Sequence, residues 1–360
     1  MSRPTQAIID TAALRINIQR VSEAAPQQKI MAVVKANGYG HGAANVAHTI
    51  ADKVDAFAVS CINEAIVLRE EGITHPIVLL EGFFSKDELA TIIHHDLHVT
   101  LHNMQQVKWL MDTKVSKPID VWVKVDTGMH RLGFLPNEIG TIWKHLQQAE
   151  QVAKPIKIMS HLACADDRQD RKTEDQLTRF TMILNDLETE ASLANSAGIL
   201  GWQQTHFNWV RPGIMLYGVS PFLNSVAKME NLQPVMHFQS ALIAVKQLRR
   251  GDTIGYGATW QCPQTMPVGV IAVGYADGYP RHAPSGTPVL VNGRRVPLIG
   301  RVSMDMIMVD LRTQPNARIG DPVTLWGKHL PVEEIASHAG TIAYELLTHI
   351  NPRVPKILRN

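Results

Sequence analysis

The chain has 360 residues, of which 45% are hydrophobic and 19% charged, with 35 Lys and Arg against 33 Asp and Glu and a formal net charge of +2. Interspersed, balanced charge argues against a nucleic-acid partner or a polybasic membrane surface, and no apolar run approaches the roughly 18–20 residues that span a bilayer. Cys61, Cys164 and Cys262 lie far apart with no C-x-x-C pair, and Met1-Ser2-Arg3-Pro4 opens a polar segment without a signal core, so a reducing, cytoplasmic setting without disulfides or zinc is expected.

From residue 30 to about 218, short apolar runs alternate with helical patterns. Strands are predicted at 30–35, 56–60, 77–81, 98–102, 120–125, 156–161, 193–195 and 214–217. Helices are predicted at 85–94, 104–112, 137–148 and 174–187, the first opening on Ser85-Lys86-Asp87-Glu88 with the spacing of a capping box. Strands alternating with helices imply βαβ units and parallel pairing, and this number of units fits a (β/α)8 barrel, with a doubly wound open sheet as the competitor. After about residue 230 strand-like runs dominate (235–245, 268–273, 287–291, 296–299 and 306–311), Asn292-Gly293 marks a two-residue hairpin, and one helical segment spans 332–347. The chain therefore divides into a barrel over residues 1–230 and a mostly β domain over residues 231–360.

Ala32-Val33-Val34-Lys35 is an apolar strand ending in a lysine, followed by Ala36-Asn37-Gly38-Tyr39-Gly40-His41-Gly42. A lysine at the mouth of a buried strand is partly desolvated, which favours the neutral amine that condenses with an aldehyde. Gly38-x-Gly40-x-x-Ala43 with Glu64 about twenty residues on also fits a dinucleotide-binding turn, which leaves Lys35 and Tyr39 without a role. Lys124-Val125-Asp126-Thr127-Gly128-Met129-His130-Arg131 follows another apolar strand, so in a barrel Arg131, a fork suited to a carboxylate, joins Lys35 at the C-terminal mouth. Arg211-Pro212-Gly213-Ile214 and Asn195-Ser196-Ala197-Gly198 fall where barrels often bind phosphate. The β domain carries Tyr256 and Tyr275 among glycines, and Gly300-Arg301-Val302-Ser303-Met304-Asp305 after a strand. His94, His95 and His98 cluster near one helix end with nothing beside them to complete a metal site.

Taken together and in this order, AVVKANGYGHG, KVDTGMHRLGF, VRPGIMLYG, GYGATW, GYADGY and GRVSMDMIMVD resemble the alanine racemases, over nearly the whole chain. The resemblance implies a pyridoxal 5'-phosphate enzyme with a barrel and a C-terminal β domain, acting as a homodimer. It makes Lys35 the cofactor lysine and one catalytic base, with Tyr256 of the partner subunit as the other. Tyr39, Ser196, Gly213 and Ile214 match phosphate-binding positions, Arg211 the residue facing the pyridine nitrogen, and His161 a histidine beneath the ring. Arg131 and the backbone N–H of Met304 match the holders of the substrate carboxylate, and Lys124 matches a lysine carbamylated in many members to position Arg131. Arg211 and a hydrogen-bonded His161 are the expected sources of positive charge for the tyrosine base. Two positions depart from the pattern: Ser192 stands where some members have histidine, and Pro352 where some have a phosphate-contacting tyrosine. The implied activity is interconversion of L- and D-alanine, for peptidoglycan or for catabolism. A broad-specificity amino-acid racemase is the alternative, and a non-catalytic carrier of the cofactor has no need of Tyr256.

Overall fold

The computed structural model describes residues 3–359. Its first strand, β1 (Gln6–Asp10), leads into a helix at Thr11–Ala24 that Asp10 caps by accepting a hydrogen bond from the Ala13 N–H. Eight parallel strands then close a barrel: β2 (Lys29–Val33), β3 (Ala56–Val59), β4 (Ile77–Leu79), β5 (Leu97–Leu101), β6 (Val121–Lys124), β7 (Lys157–Met159), β8 (Ala191–Ser192) and β9 (Trp209–Val210), with β9 returning to β2. Each is enclosed by barrel interior and helices, so the runs are mostly apolar; β3 and β4 are apolar and buried at every position. Fully buried side chains such as Phe57 and Trp122 each contribute about 1.5–3 kcal/mol of burial free energy.

The remaining strands are β10 (Met236–Leu248), β11 (Thr253–Ile254), β12 (Trp260–Gln261), β13 (Met266–Ile271), β14 (Pro288–Val291), β15 (Arg294–Ile299), β16 (Ile307–Asp310), β17 (Pro322–Trp326) and β18 (Lys356–Arg359). An eight-stranded sheet runs in the order β13-β16-β15-β14-β17-β10-β1-β18, and β11 pairs with β12 separately. Asn292 and Gly293 both take positive φ (50° and 74°) between β14 and β15, the two-residue turn that their sequence demands.

The sequence expectations need four corrections. Residues 6–10 belong to the β domain's sheet, paired with β10 and β18, so the barrel unit does not begin at residue 1. The seventh and eighth strands are two-residue segments at Ala191–Ser192 and Trp209–Val210 rather than 193–195 and 214–217. Ile214–Tyr217 is a buried 3-10 turn, and a short run buried on all sides has no periodicity to separate it from a strand. The segment 332–347 is two helices, Val332–Ala339 and Ala343–Thr348, broken where Gly340 takes φ 67°. A smaller difference lies at 85–94, where the helix is Glu88–His94. Glu88 reaches back to the Phe84 N–H, and no side chain caps the start.

The two units meet near Lys35. Gly40, at φ 81°, lies so near the helix Ala343–Thr348 that a Cβ there would come within 2.0 Å of the Leu347 carbonyl oxygen. Only glycine satisfies both the backbone angle and that approach.

Candidate active site at the barrel mouth

Every predicted barrel residue of the site lies at or just beyond the C-terminal end of its strand: Lys35 after β2, Lys124 at the end of β6, His161 after β7 and Arg211 after β9. This is the face on which barrel enzymes build their sites. Lys35 is half-buried. The turn that follows it is left-handed, with Ala36, Asn37, Gly38 and Tyr39 at φ 50°, 53°, 62° and 50°. Left-handed backbone costs roughly 1–2 kcal/mol for each L residue with a Cβ, so the surrounding bonds must hold this turn. The Gly38 N–H donates to the Val34 carbonyl at 2.8 Å, and the Ala43 N–H to Asn37 Oδ1 at 2.9 Å. The buried His41 imidazole bonds through Nδ1 to the Gly38 and Tyr39 carbonyls.

Positive charge converges here. Lys124 is buried, at 8% exposure, and burial together with the cations Arg211, Arg131 and Lys35 lowers its amine to about 7, while Asp126 acts in the opposite sense. Burial and the cations of Lys124, Arg211, Arg131 and Lys35 hold His161 well below the ordinary imidazole range. His161 is therefore neutral at pH 7 and does not supply the positive charge that the sequence reading asked of it. Arg211 is lowered by burial to about 10 and stays cationic. Its Nη1 donates to Ser192 Oγ, and its Nη2 to the carbonyls of Ser160 and Leu193, while its Nε–H makes no bond within the described residues.

Arg131 is exposed at the tip of a loop that closes on β6. The Phe134 N–H donates to the Lys124 carbonyl and the Asp126 N–H to the Phe134 carbonyl. Asp126 accepts from the N–H groups of Gly128 and His130 at 2.9 and 3.0 Å, which sets the loop's shape.

A second group lies next along the chain from Arg211. Ser196 Oγ accepts from the Gly213 N–H at 2.9 Å and from the Met215 N–H at 3.4 Å, so its own proton is left for an outside acceptor. A Cβ on Gly213 would lie 2.7 Å from Tyr39 Oη, so the missing side chain is what brings that hydroxyl against the backbone. Burial raises the Tyr39 hydroxyl to about 12, which keeps it a neutral donor, and its ring stacks on Tyr217 at 4.7 Å. Ile214 is buried in the 3-10 turn that follows. The Tyr39 and Ser196 hydroxyls form a small donor cradle beside the cationic cluster, with Gly213 leaving the space between them, and together they fit a phosphate. Pro352, at the other departure, is exposed and has no N–H to offer. The ring of Tyr344, from the same domain, stands 6.0 Å from that of Tyr39.

Tyr256 and Met304 are not joined to this cluster within the chain. They lie on the β domain at 68% and 52% exposure, and the Tyr256 hydroxyl has no hydrogen-bond partner among the described residues. The Met304 carbonyl accepts from the Ala276 N–H at 3.0 Å, whereas the Met304 N–H has no acceptor among the described residues. Of the histidine cluster, His94 packs edge-on against His95, and His98 faces Asp120 at 3.6 Å.

Sequence reading missed Glu64 and Asp126 as shapers of the site. Both Glu64 oxygens accept backbone N–H groups, from Ala36 at 2.7 Å and Ser60 at 2.8 Å, so Glu64 is committed to the protein rather than to a ribose as the dinucleotide pattern had it. Its position four residues beyond Ser60, in the first turn of a helix, was the available signal.

Comparison with known proteins agrees with this geometry. The family model "Alanine racemase, N-terminal domain" matches residues 9–221, and "Alanine racemase, C-terminal domain" matches residues 235–358. The chain is 53% identical over 353 residues to an alanine racemase of Nitrosococcus oceani, covering 98% of this chain and 99% of that one. It is 51% identical over 354 residues to one of Halorhodospira halophila, covering 98% and 97%. The crystal structure of a biosynthetic alanine racemase from Pseudomonas aeruginosa superposes with a TM-score of 0.97 at 43% identity, covering 99% of this chain and 100% of that chain. By sequence, by both domains and by fold, the chain belongs to the alanine racemase family.

Proposed function

We propose that this protein interconverts L- and D-alanine with pyridoxal 5'-phosphate joined covalently to Lys35, using Lys35 and Tyr256 of a partner subunit as two bases on opposite faces of the substrate. When bound, the cofactor supplies the electron withdrawal that makes the Cα proton removable. The observation that carries the reading is the set of cations at one barrel mouth, Lys35, Arg131 and Arg211, beside the hydroxyls of Tyr39 and Ser196 packed around Gly213. The cradle and Ile214 would hold the phosphate, Arg211, cationic and with a free Nε–H, would serve the ring nitrogen, and His161, neutral, would serve the ring.

Arg131 and the free N–H of Met304 hold the substrate carboxylate and fix the Cα between the two bases. One base on each face lets a proton leave one side and return on the other without the substrate turning over. Proton transfer by the Tyr256 hydroxyl draws on the cationic surroundings that Arg211 and Arg131 supply once the subunits pair, since nearby positive charge favours the phenolate. The exposure of Tyr256 and Met304 in a single chain supports a homodimer in which the β domain completes the partner's site. An amine at about 7 on Lys124 supports its carbamylation: the neutral nitrogen adds to carbon dioxide, a proton leaves, and the resulting anion pairs with Arg131. We assign the protein to the cytoplasm, with alanine as its substrate in preference to larger amino acids.

The test is the visible spectrum of the purified protein before and after borohydride, with peptide mapping of the reduced product. A reducible band and a modified peptide containing Lys35 are expected, both lost in Lys35→Ala. A reduced adduct on another lysine, or none in the wild type, contradicts it.

A further inference from the structure

His41 and Asn37 brace the left-handed turn after Lys35 from within its own segment, and Glu64 reaches its first residue from the far side of β3. We propose that Glu64 is a positioning residue for Lys35: its carboxylate clamps the Ala36 N–H and the Ser60 N–H together, and so ties the strained turn that carries Lys35 to the end of the neighbouring strand β3. The inference rests on the reading of Lys35 as the cofactor lysine.

The geometry leaves little else for Glu64 to do. Its Oε1 accepts from Ala36 at 2.7 Å and its Oε2 from Ser60 at 2.8 Å. It rises from the first turn of the helix Ile62–Glu70, directly after β3, so its own backbone is fixed. Ser60 extends the tie, since its hydroxyl donates to Glu81 Oε1 at 2.8 Å at the end of β4. Ala36 is the first residue of the left-handed turn, at φ 50° and ψ 49°, and it carries a Cβ that opposes this conformation. Without the bond to its N–H, residue 36 is released towards ordinary backbone angles, and the Cα of Lys35 moves with it.

A carboxylate is what two converging N–H donors require. Glutamine has nearly the same shape but offers one oxygen and one NH2 group, so one backbone N–H would face another donor. Glycine at position 36 adopts left-handed angles freely. If Glu64 acts through the conformation of residue 36, Ala36→Gly must therefore repair the loss of the carboxylate. A residue needed only for general stability would show no such repair.

The experiment titrates cofactor-free full-length protein with pyridoxal 5'-phosphate and reads the visible band and the borohydride-fixed adduct at Lys35, alongside thermal melting of the same samples. Glu64→Gln is expected to weaken cofactor binding by about tenfold or more, the scale of one lost hydrogen bond to a charged group. The Ala36→Gly/Glu64→Gln double variant is expected to return to within about threefold of Ala36→Gly alone, because glycine removes the penalty that the bond opposed. Wild-type binding in Glu64→Gln overturns the proposal, and so does equal weakness in the single and double variants. Should Glu64→Gln fail to fold, a folded and adduct-forming double variant supports the clamp, and an unfolded one overturns it. Absence of an adduct at Lys35 in the wild type would instead overturn the functional reading, so the two failures are distinct.

Discussion

Arg211 donates from Nη1 to Ser192 Oγ, and Ser192 Oγ in turn donates to the Trp209 carbonyl at 2.8 Å. The chain of bonds that begins at Arg211 thus ends on the backbone after one hydroxyl. A serine accepts and donates but does not ionise at working pH, so this chain has a fixed link here rather than a titratable one.

Ser192→Ala removes that link and leaves Arg211 the carbonyls of Ser160 and Leu193. The expected loss in kcat is no more than about tenfold, the scale of one hydrogen bond to a charged group. The pH profile of kcat should keep its shape, because no ionising group has been taken away. Steady-state kinetics of alanine racemisation across pH checks both statements, and a changed profile would assign Ser192 a part in proton movement.

Gly213→Ala places a methyl group 2.7 Å from the Tyr39 hydroxyl, in a region where Tyr39 is buried and stacked on Tyr217. Overpacking of this kind costs about 1–3 kcal/mol of stability. Cofactor affinity should fall by about tenfold or more, since the cradle loses its shape and a donor moves. Adding Tyr39→Phe removes the colliding oxygen, so it should restore stability and leave cofactor affinity low. Thermal melting and cofactor titration of the three variants separate packing from binding.

Lys124 links the site to pH. The unfolded chain keeps this lysine protonated up to about 10.5 and the folded chain only up to about 7. Between those values the unfolded state holds more protons, so folding stability gains as pH rises, and below about 7 the cost of the buried charge is fully present. Lys124→Met should therefore stabilise the cofactor-free protein at pH 6, by on the order of a few kcal/mol, and the gain should shrink towards pH 10. Denaturant unfolding of both proteins without bicarbonate, at several pH values, reads the difference; parallel pH dependences would contradict the assignment.

How much of this was legible in the sequence depends on how far each signal is local. Lys35, Arg131 and Arg211 sit in glycine- or proline-marked turns after apolar strands, and their convergence follows from parallel strands delivering chain ends to one face. The hairpin at Asn292-Gly293 was readable because two residues with φ > 0 admit few other solutions. β1 was not, because Gln6–Asp10 is short and mixed and its partners β10 and β18 lie hundreds of residues away. β8 and β9 are too short, at two residues each, to carry any period. The work of Glu64 was legible only in its place four residues beyond Ser60 at a helix start, because its partners are backbone N–H groups rather than side chains. The suppression of charge on His161 was likewise invisible, since it depends first on burial and then on four cations that meet only in the folded barrel.

The central claim is that Lys35 of one subunit and Tyr256 of the other serve one site, and mixed dimers test it most directly. Lys35→Ala and Tyr256→Phe homodimers should each be nearly inactive. A mixed dimer then holds one site with both lesions and one with neither, so random subunit exchange, confirmed by native mass spectrometry, should recover about a quarter of wild-type alanine racemisation if sites act independently. Mixed dimers that form and remain inactive would contradict the account.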